Sequence, residues 1–576
     1  MESVEKREST VFVKYSPCWY NFSMIKELHF KAGSSKRQPP LILEDVGPMT
    51  VFVGPNNAGK SQALREIFQF CQSGQPHLLK VIFSALPFRH RSEELASLAL
   101  SRISTEPLND TSLAGDDLSI LLGAATQHVS RRYFLEMLKN PSQSPNAFAT
   151  QYLQHRIINL DGGQRLSILN PQPIMDVRHP NSSLAKLAIY PDKRITLRND
   201  IRDATGMYAA LDATHGQYQM RFSEEEPPDE MKLDSVDLRN YMDEAKPVEA
   251  VSDGVKAYSG ILLALYASDP EIIFIDEPEA FLHPALSAKL AKSMAAIACS
   301  QAKQIFVATH SPHFLMGAIQ SGAEINIVRL TYDGETGTAR LLPADRLVKL
   351  MRDPLLRSVG VIEGLFYNAV IVCEGNSDRA FYQEVNERLV RSDDTRAIPH
   401  ALFLNAENKQ TVSRITKVLR SLGIQCAEIL DIDVLKDGGD EWARHLRACG
   451  LPEIEHQPYG NRRNSILKCV NDRDKDFKIR GGINLLTGKD REAAENLLSD
   501  LAKYGCFVVP KGEVEAWLEY LGIPKSKKNW LPRIFERMGS DPDSVDYVRP
   551  SQGDVWDFIG EISKWLRDPH RKGIPV

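Results

Sequence analysis

The residues Gly54-Pro-Asn-Asn-Ala-Gly-Lys-Ser61 have the types and spacing of a phosphate-binding loop, and an apolar, β-prone run (Met49–Val53) leads into them. Gly54 and Gly59 let the backbone curl until successive N–H groups, those of Asn56, Asn57 and Ala58 among them, point at phosphate oxygens. A helix starting near Gly59 adds its positive end. Lys60 then reaches the β- and γ-phosphates of ATP, and the Ser61 hydroxyl can ligate Mg²⁺. Further along, Ile272–Ile275 run straight into Asp276 and Glu277. A buried strand ending in two acids suits a site where Asp276 holds Mg²⁺ through water and Glu277 orients or deprotonates the attacking water. The stretch 304–315 closes on Thr309-His310-Ser311, where an imidazole at a strand end can sense the γ-phosphate. Ser252-Asp-Gly254 opens a helix whose hydroxyl and free amides can meet a γ-phosphate, although serine at a helix start is routine.

A second set of acids lies in the other half. The apolar run 369–373 ends in Glu374-Gly375, and Asp378 follows four residues on, about one helical turn. Another apolar run, 426–430, closes on Asp431-Ile-Asp433, whose alternating side chains share a face on an extended chain. A third, 506–510, precedes Lys511-Gly-Glu513-Val-Glu515. Acids gathered at the ends of neighbouring parallel strands repel one another without divalent cations, and oxygen-only ligands suit Mg²⁺ or Mn²⁺. Two such ions can activate water and stabilise a leaving oxygen in phosphodiester cleavage. Taken singly, each acid is as well explained as a solvated strand end or helix cap.

The elements that must position these groups follow from patterning. Residues 24–30 alternate like a half-buried strand, 41–46 form a second strand, and 1–22 are an extension containing the β-prone Val11–Tyr15. Residues 91–104 and 117–139 read as amphipathic helices, and 156–170 as a hairpin turned at Asp161-Gly-Gly163. A helix near 197–206 precedes a β pair over 207–222. Residues 352–367 read as a helical linker, after which strands and helices alternate, the signature of a parallel α/β sheet. The tail beyond 520 is helical, with basic clusters at Lys525-Ser-Lys-Lys528 and Arg571-Lys572; Arg462-Arg463 is a third cluster, placed in a loop. These could track a phosphate backbone or simply be solvated. No pattern for base-specific reading is present.

Composition sets the frame. The 576 residues, 43% hydrophobic and 25% charged, fit a globular chain of two or more domains, and the net charge of −5 gives no global pull toward nucleic acid. No apolar run is long enough to span a bilayer and the first residues lack a signal-peptide core, so the expectation is a cytoplasmic protein with no membrane partner. Eight cysteines without a C-x-x-C read as buried free thiols rather than zinc ligands or disulfides.

Together the phosphate loop, the S-x-G signature, IDEPEAFLHP and ATHSP resemble, in order, the ABC-type ATPases of chromosome maintenance and repair, and more closely the OLD (overcoming lysogenisation defect) family. The E-G-x-x-D and D-x-D acids resemble a Toprim domain. The resemblance implies an α/β architecture: an ABC-type ATPase over 1–355, with a helical or dimerisation insertion at about 85–155, then a Toprim nuclease domain with a helical tail over 356–576. It implies ATP at Gly54–Ser61, with Asp276, Ser252 and Gly254 also at the nucleotide and Glu277 and His310 acting in its hydrolysis. It implies Mg²⁺ or Mn²⁺ at both sites, Ser61 and Asp276 serving the first. Glu374, Asp378, Asp431, Asp433, Glu513 and Glu515 would serve the second, with Glu374 and Lys511 in catalysis. It further implies a homodimer or higher homo-oligomer, the signature serine working in trans, and DNA as substrate. An antiphage role with a partner protein or a retron's RNA/DNA completes it. The sequence departs at Asp253, where the family has a small residue, which bears on hydrolysis more than on binding. The alternatives are an ATP-switched DNA- or partner-binding protein with a non-catalytic Toprim, and a primase- or topoisomerase-like Toprim. Neither a zinc-ribbon cysteine set nor a flanking tyrosine domain supports the latter.

Overall fold

The computed structural model describes residues 23–35, 38–105, 116–122, 125–174, 182–213, 216–228, 235–267, 270–358, 360–525 and 529–573. The extension with Val11–Tyr15, Cys18, and the basic residues Lys527 and Lys528 lie outside them. The chain divides into two compact units, Met1–Lys349 and Leu350–Val576.

The first unit is built on a six-stranded sheet: β1 (Met49–Val53), β2 (Ile157–Leu160), β3 (Ile272–Asp276), β4 (Gln304–Ala308), β5 (Ile325–Tyr332) and β6 (Gly337–Leu342), in the spatial order β6-β5-β1-β4-β3-β2. Neighbours are parallel except β5 and β6. Parallel strands covered on both faces need unbroken apolar runs, and MTVFV and QIFVA are buried throughout. Phe274 and Phe306, paired in register, stack at 5.5 Å between centroids. Because the strands run the same way, the loop after β1, the acids after β3 and His310 after β4 emerge at one edge.

Two local readings of the sequence are overturned. Residues 156–170 are not a hairpin. Ile157–Leu160 joins the main sheet, parallel to Ile272–Ile275, and Gln164–Ser167 is a short helix. Asp161 Oδ1 accepts from the N–H groups of Gly163 and Gln164 at 3.0 and 2.8 Å, so the Asp-Gly-Gly that reads as a hairpin turn starts a helix instead. Residues 117–139 are not one helix. Asp117–Leu122 and Ala125–Ser130 form an antiparallel hairpin, and the helix is Arg131–Lys139, with Ser130 Oγ accepting from Tyr133 N. The β pair over 207–222 is present as Tyr208–Asp212 against Gln217–Ser223.

The second unit carries β7 (Ala369–Cys373), β8 (Ala401–Asn405), β9 (Gln425–Leu430) and β10 (Cys506–Val508), all parallel, in the order β8-β7-β9-β10. The chain leaves β7 toward β8 on one side and returns to β9 on the other. The C-terminal ends of β7 and β9 therefore flank a topological switch point, the place where open α/β sheets form a crevice. The C-terminal segment is part of this core. The helices Trp530–Met538 and Asp554–Arg567 bury Trp530 and Trp556 to 1% and 0% exposure, and the Trp530 ring lies 5.1 Å from Phe381. Arg388 Nη1 donates to the carbonyls of Met538 and Val548, both at 2.9 Å, and fastens this layer.

Four described members of the basic clusters have partners inside the unit. Arg462 and Arg463 sit in the helix Glu453–Arg473, not a loop; Arg462 pairs with Asp500 at 2.8 Å, and the buried Arg463 donates to Leu435 O. Arg571 donates to the carbonyls of Leu566 and Asp568, and Lys525 pairs with Glu519.

Candidate functional site

At the edge of the first sheet, Gly54 has φ +146° and a Cβ there would stand 2.0 Å from Leu330 O, so only glycine lets the loop pass β5. Ala58 and Lys60 are buried, while Asn56, Asn57 and Ser61 are exposed at the mouth. Lys60 Nζ donates to the carbonyls of Gly54 and Pro55 at 2.9 and 2.7 Å, curled onto its own loop. Burial lowers its pKa to about 8 against the pull of Asp276, Glu277 and Glu279, so an arriving phosphate finds an under-solvated ammonium.

Glu277 adopts φ +50°, a costly conformation for a non-glycine residue. Arg165, which the sequence reading passed over, holds it: its Nη1 and Nη2 donate to the carbonyls of Glu277 and Asp276 at 2.7 and 2.8 Å. Glu279, also passed over, ties this turn to the next strand. Its Oε1 accepts from Thr309 Oγ1 and His310 N, both at 2.8 Å. His310 Nε2 thereby stands 3.5 Å from Glu277 Oε1, and burial, helped by Lys60, lowers the imidazole's pKa. Asp276 Oδ1 is buried with no hydrogen-bond partner among the described residues, which fits a hydrated divalent cation. Ser252 Oγ accepts from Val255 N as a helix cap, Gly254 lies in the first turn, and the exposed Asp253 pairs with Lys256 at 3.1 Å.

In the second unit Glu374, Asp431 and Asp433 converge, one ligand oxygen from each lying within 4.8 Å of the others. Glu374 Oε1 accepts from Asp431 N at 2.8 Å, which locks the ends of β7 and β9 together. Asp431 directly follows its strand and caps the short 3₁₀ turn Ile432–Lys436 that holds Asp433, so helical curl rather than strand alternation brings the two carboxylates together. Asp378 lies one turn into its helix and caps it, Oδ2 accepting from Gly375 N at 2.8 Å. Burial and Asp431 push the Glu374 carboxyl up to about 8. Burial, Asp431 and Glu515 push Asp378 up to about 7. Glu513 and Glu515 are buried at 3% and 8% exposure. Asp433 Oδ1 is buried without a hydrogen-bond partner among the described residues, and the oxygen-only ligand set fits a hard divalent cation.

The lysine at these acids is Lys478. Its Nζ lies 2.7 Å from Asp431 Oδ2 and 3.2 Å from Asp433 Oδ2, and the two carboxylates outweigh burial to raise its pKa. Lys511 instead pairs with Asp554 at 2.8 Å, over the Trp517 ring. Lys409 also reaches the edge, 3.7 Å from Asp433 Oδ2 and 3.1 Å from Asp437 Oδ2. The available signal for Lys478 was Gly481-Gly482 beside it. That pair folds the segment against the Lys511–Glu515 stretch, where a Cβ on Gly512 would stand 1.9 Å from Lys478 O.

Two family models match. One described as AAA domain, putative AbiEii toxin, Type IV TA system covers residues 176–316. One described as overcoming lysogenization defect protein-like, TOPRIM domain covers residues 365–433. The first spans Ser252, Asp276, Glu277 and His310; the second spans Glu374, Asp378, Asp431 and Asp433. The Old nuclease of Escherichia phage P2 is 23% identical over 177 residues, 29% of this chain and 28% of that protein, so the match spans under a third of that relative. Among solved structures, an Smc head bound to the C-winged helix domain of ScpA covers 56% of this chain and 99% of its own at 13% identity and TM-score 0.33. The SMC head domain from Thermotoga maritima covers 55% and 99% at 14% identity and TM-score 0.29.

Proposed function

We propose that this chain, which has the ATPase–Toprim architecture of the OLD family, is an ATP-regulated, divalent-metal-dependent DNA endonuclease or nickase. The observation that carries the reading is the convergence of Glu374, Asp431 and Asp433 at the switch point between β7 and β9. Glu374, Asp431 and Asp433 would hold Mg²⁺ or Mn²⁺, with Asp378, Glu513 and Glu515 beside them. The ions would supply an activated water and charge stabilisation on the leaving oxygen. The Lys478 ammonium now neutralises Asp431 and Asp433, and with metal on those carboxylates it would be available to a scissile phosphate. On the ATPase side Lys60 and the loop amides bind the phosphates. Ser61 and Asp276 hold Mg²⁺, Glu277 orients the water, and Glu279 keeps His310 beside it. Ser252 serves the facing subunit's nucleotide in a head-to-head dimer, and ATP state controls access to the second unit. No helix among the described residues is long and apolar enough to cross a membrane. An antiphage role, with or without a partner protein or retron, completes the proposal and is read by phage plating.

The test is nicking of supercoiled plasmid under Mg²⁺ or Mn²⁺, with cutting lost in Glu374→Ala and Asp431→Ala. If both variants cut like the parent, the nuclease assignment is wrong. Lys478 against the acids favours a second reading, a self-neutralised Toprim that binds DNA or a partner without cutting. Full DNA binding with no nicks under either metal selects it.

A further inference from the structure

A second cluster of metal-ligand types lies in the Toprim unit, away from the acid edge. Glu428 on β9, Cys449 at the end of the helix Gly439–Ala448 and Cys506 on β10 place one donor atom each within 4.8 Å of one another. All three are at 2% exposure or less. Glu428 and Cys506 are register partners on adjacent parallel strands. His445, one helical turn before Cys449 and 3% exposed, brings Nδ1 to 3.2 Å from Glu428 Oε1, and Cys449 Sγ lies 3.2 Å from the same oxygen. Three donors thus meet from two strands and one helix, and the His445 imidazole stands against the same carboxylate; the two 3.2 Å spacings at Glu428 Oε1 are close to the roughly 3.3–3.8 Å edges of a tetrahedral Zn²⁺ site.

The carboxylate is the independent observation. Glu428 is fully buried in the middle of a sheet, and its Oε2 has no hydrogen-bond partner among the described residues. A buried carboxylate oxygen without a partner is strongly penalised, and the His445 imidazole and the Cys449 thiol both meet the other oxygen. Burial would push the carboxyl up; His445 and then Arg420 bring it below its ordinary range, so the pocket is arranged for the anion. Arg420 is held in place by the carbonyls of Cys426, Cys449 and Tyr504. One Zn²⁺ with two thiolates and a carboxylate carries a net charge of −1, which that guanidinium balances. Thiolate and imidazole donors select a softer ion than the oxygen-only acid edge does.

We propose that Glu428, Cys449 and Cys506, with the neighbouring His445 imidazole turning in as the fourth ligand, form a closed structural Zn²⁺ site that staples β9, β10 and the helix Gly439–Ala448 beneath the Toprim edge. Loading it deprotonates two thiols and releases their protons to solvent. The site lies about 10 Å along the strand from Asp431 and takes no part in cutting, so it stands whether or not the nuclease reading does.

The experiment uses the full chain purified without chelators. Elemental analysis is expected to give about one zinc per chain. Cobalt substitution should give the visible absorption of a tetrahedral ion and a thiolate-to-cobalt band in the near ultraviolet. Cys449→Ser and Cys506→Ser should lose the zinc and the thiolate band, whereas Glu374→Ala should keep both. Should the variants fail to fold, the parent alone decides: titrating its thiols with a mercurial should release zinc in step with two cysteines, and a zinc chelator should lower its Tm, reversed by Zn²⁺ but not by Mg²⁺. Substoichiometric zinc after reconstitution, zinc retained by both cysteine variants, or a Cys449–Cys506 disulfide in the native protein overturns the proposal.

Discussion

Divalent-ion binding at the Glu374–Asp431–Asp433 edge must expel protons, and the structure sets how many. In the metal-free protein Glu374 is raised to about 8 and Asp378 to about 7, because burial and the Asp431 charge penalise their ionised forms. At pH 7 the first is then mostly protonated and the second partly so, and a cation that draws on both must displace between about one and two protons per site. Between pH 5 and 7 the affinity for Mg²⁺ should therefore rise steeply, by about tenfold per proton released per pH unit. It should level off above pH 9, where both carboxyls are already ionised. Stability has the opposite sign. A carboxyl raised in the folded state is penalised once pH exceeds its ordinary value of about 4. Metal-free protein should thus lose stability as pH climbs through 7 and 8, and Mg²⁺ should restore it. Calorimetric titration of nucleotide-free protein with Mg²⁺, in two buffers of different ionisation enthalpy, reads the proton count directly. We expect between about one and two at pH 7, near zero at pH 9.5, and less than about one at pH 7 for Glu374→Gln. Tight Mg²⁺ binding with no proton release at pH 7 would refute the electrostatic reasoning.

Four other expectations concern parts that can be altered separately. Arg165→Ala strips two hydrogen bonds from the carbonyls that hold Glu277 at positive φ; it should lower stability by about 2–3 kcal/mol and cut ATP hydrolysis through kcat more than KM, measured by denaturant melts and steady-state kinetics. Lys60→Ala should weaken ATP binding, while Glu277→Gln keeps it and slows turnover; equal plasmid cutting by both and by the parent would sink any coupling between ATP state and cleavage. Trp556→Ala removes a fully buried ring from the second core and should cost about 3–5 kcal/mol. Truncation after residue 524 should leave an insoluble chain, seen in yield and limited proteolysis.

How much was readable in advance varied with the kind of signal. The strands at 49–53, 272–276, 304–308, 369–373 and 425–430 were legible because a parallel strand buried on both faces needs an unbroken apolar run, and each run ends in the residues that matter. Residues 117–139 and 156–170 misled because their short apolar spacing fits more than one period, and Asp161-Gly-Gly163 serves a helix start as readily as a hairpin turn. Ile157–Leu160 became a core strand through pairing with Ile272–Ile275, more than a hundred residues away. The tail looked like a basic appendage because charge is visible in a sequence and burial is not. Its Trp530 and Trp556 close the second core, and Arg567 and Arg571 donate to backbone carbonyls.

By itself the sequence determined the local chemistry: a loop able to grip phosphate, acids at strand ends, and the order of two α/β units. These are contiguous signals, set by glycine geometry and apolar runs. What stands opposite those groups was decided only by tertiary structure. Lys478 rather than Lys511 meets Asp431 and Asp433, since the Gly481–Gly482 turn and Gly512 allow that backbone to close in. Arg165 and Glu279 brace the nucleotide edge from elsewhere in the chain. Cys449 and Cys506, which read from the sequence as separate buried thiols, meet Glu428 in one cluster because β9 pairs with β10. Residues distant along the chain reveal their contacts only when the fold closes the loops between them.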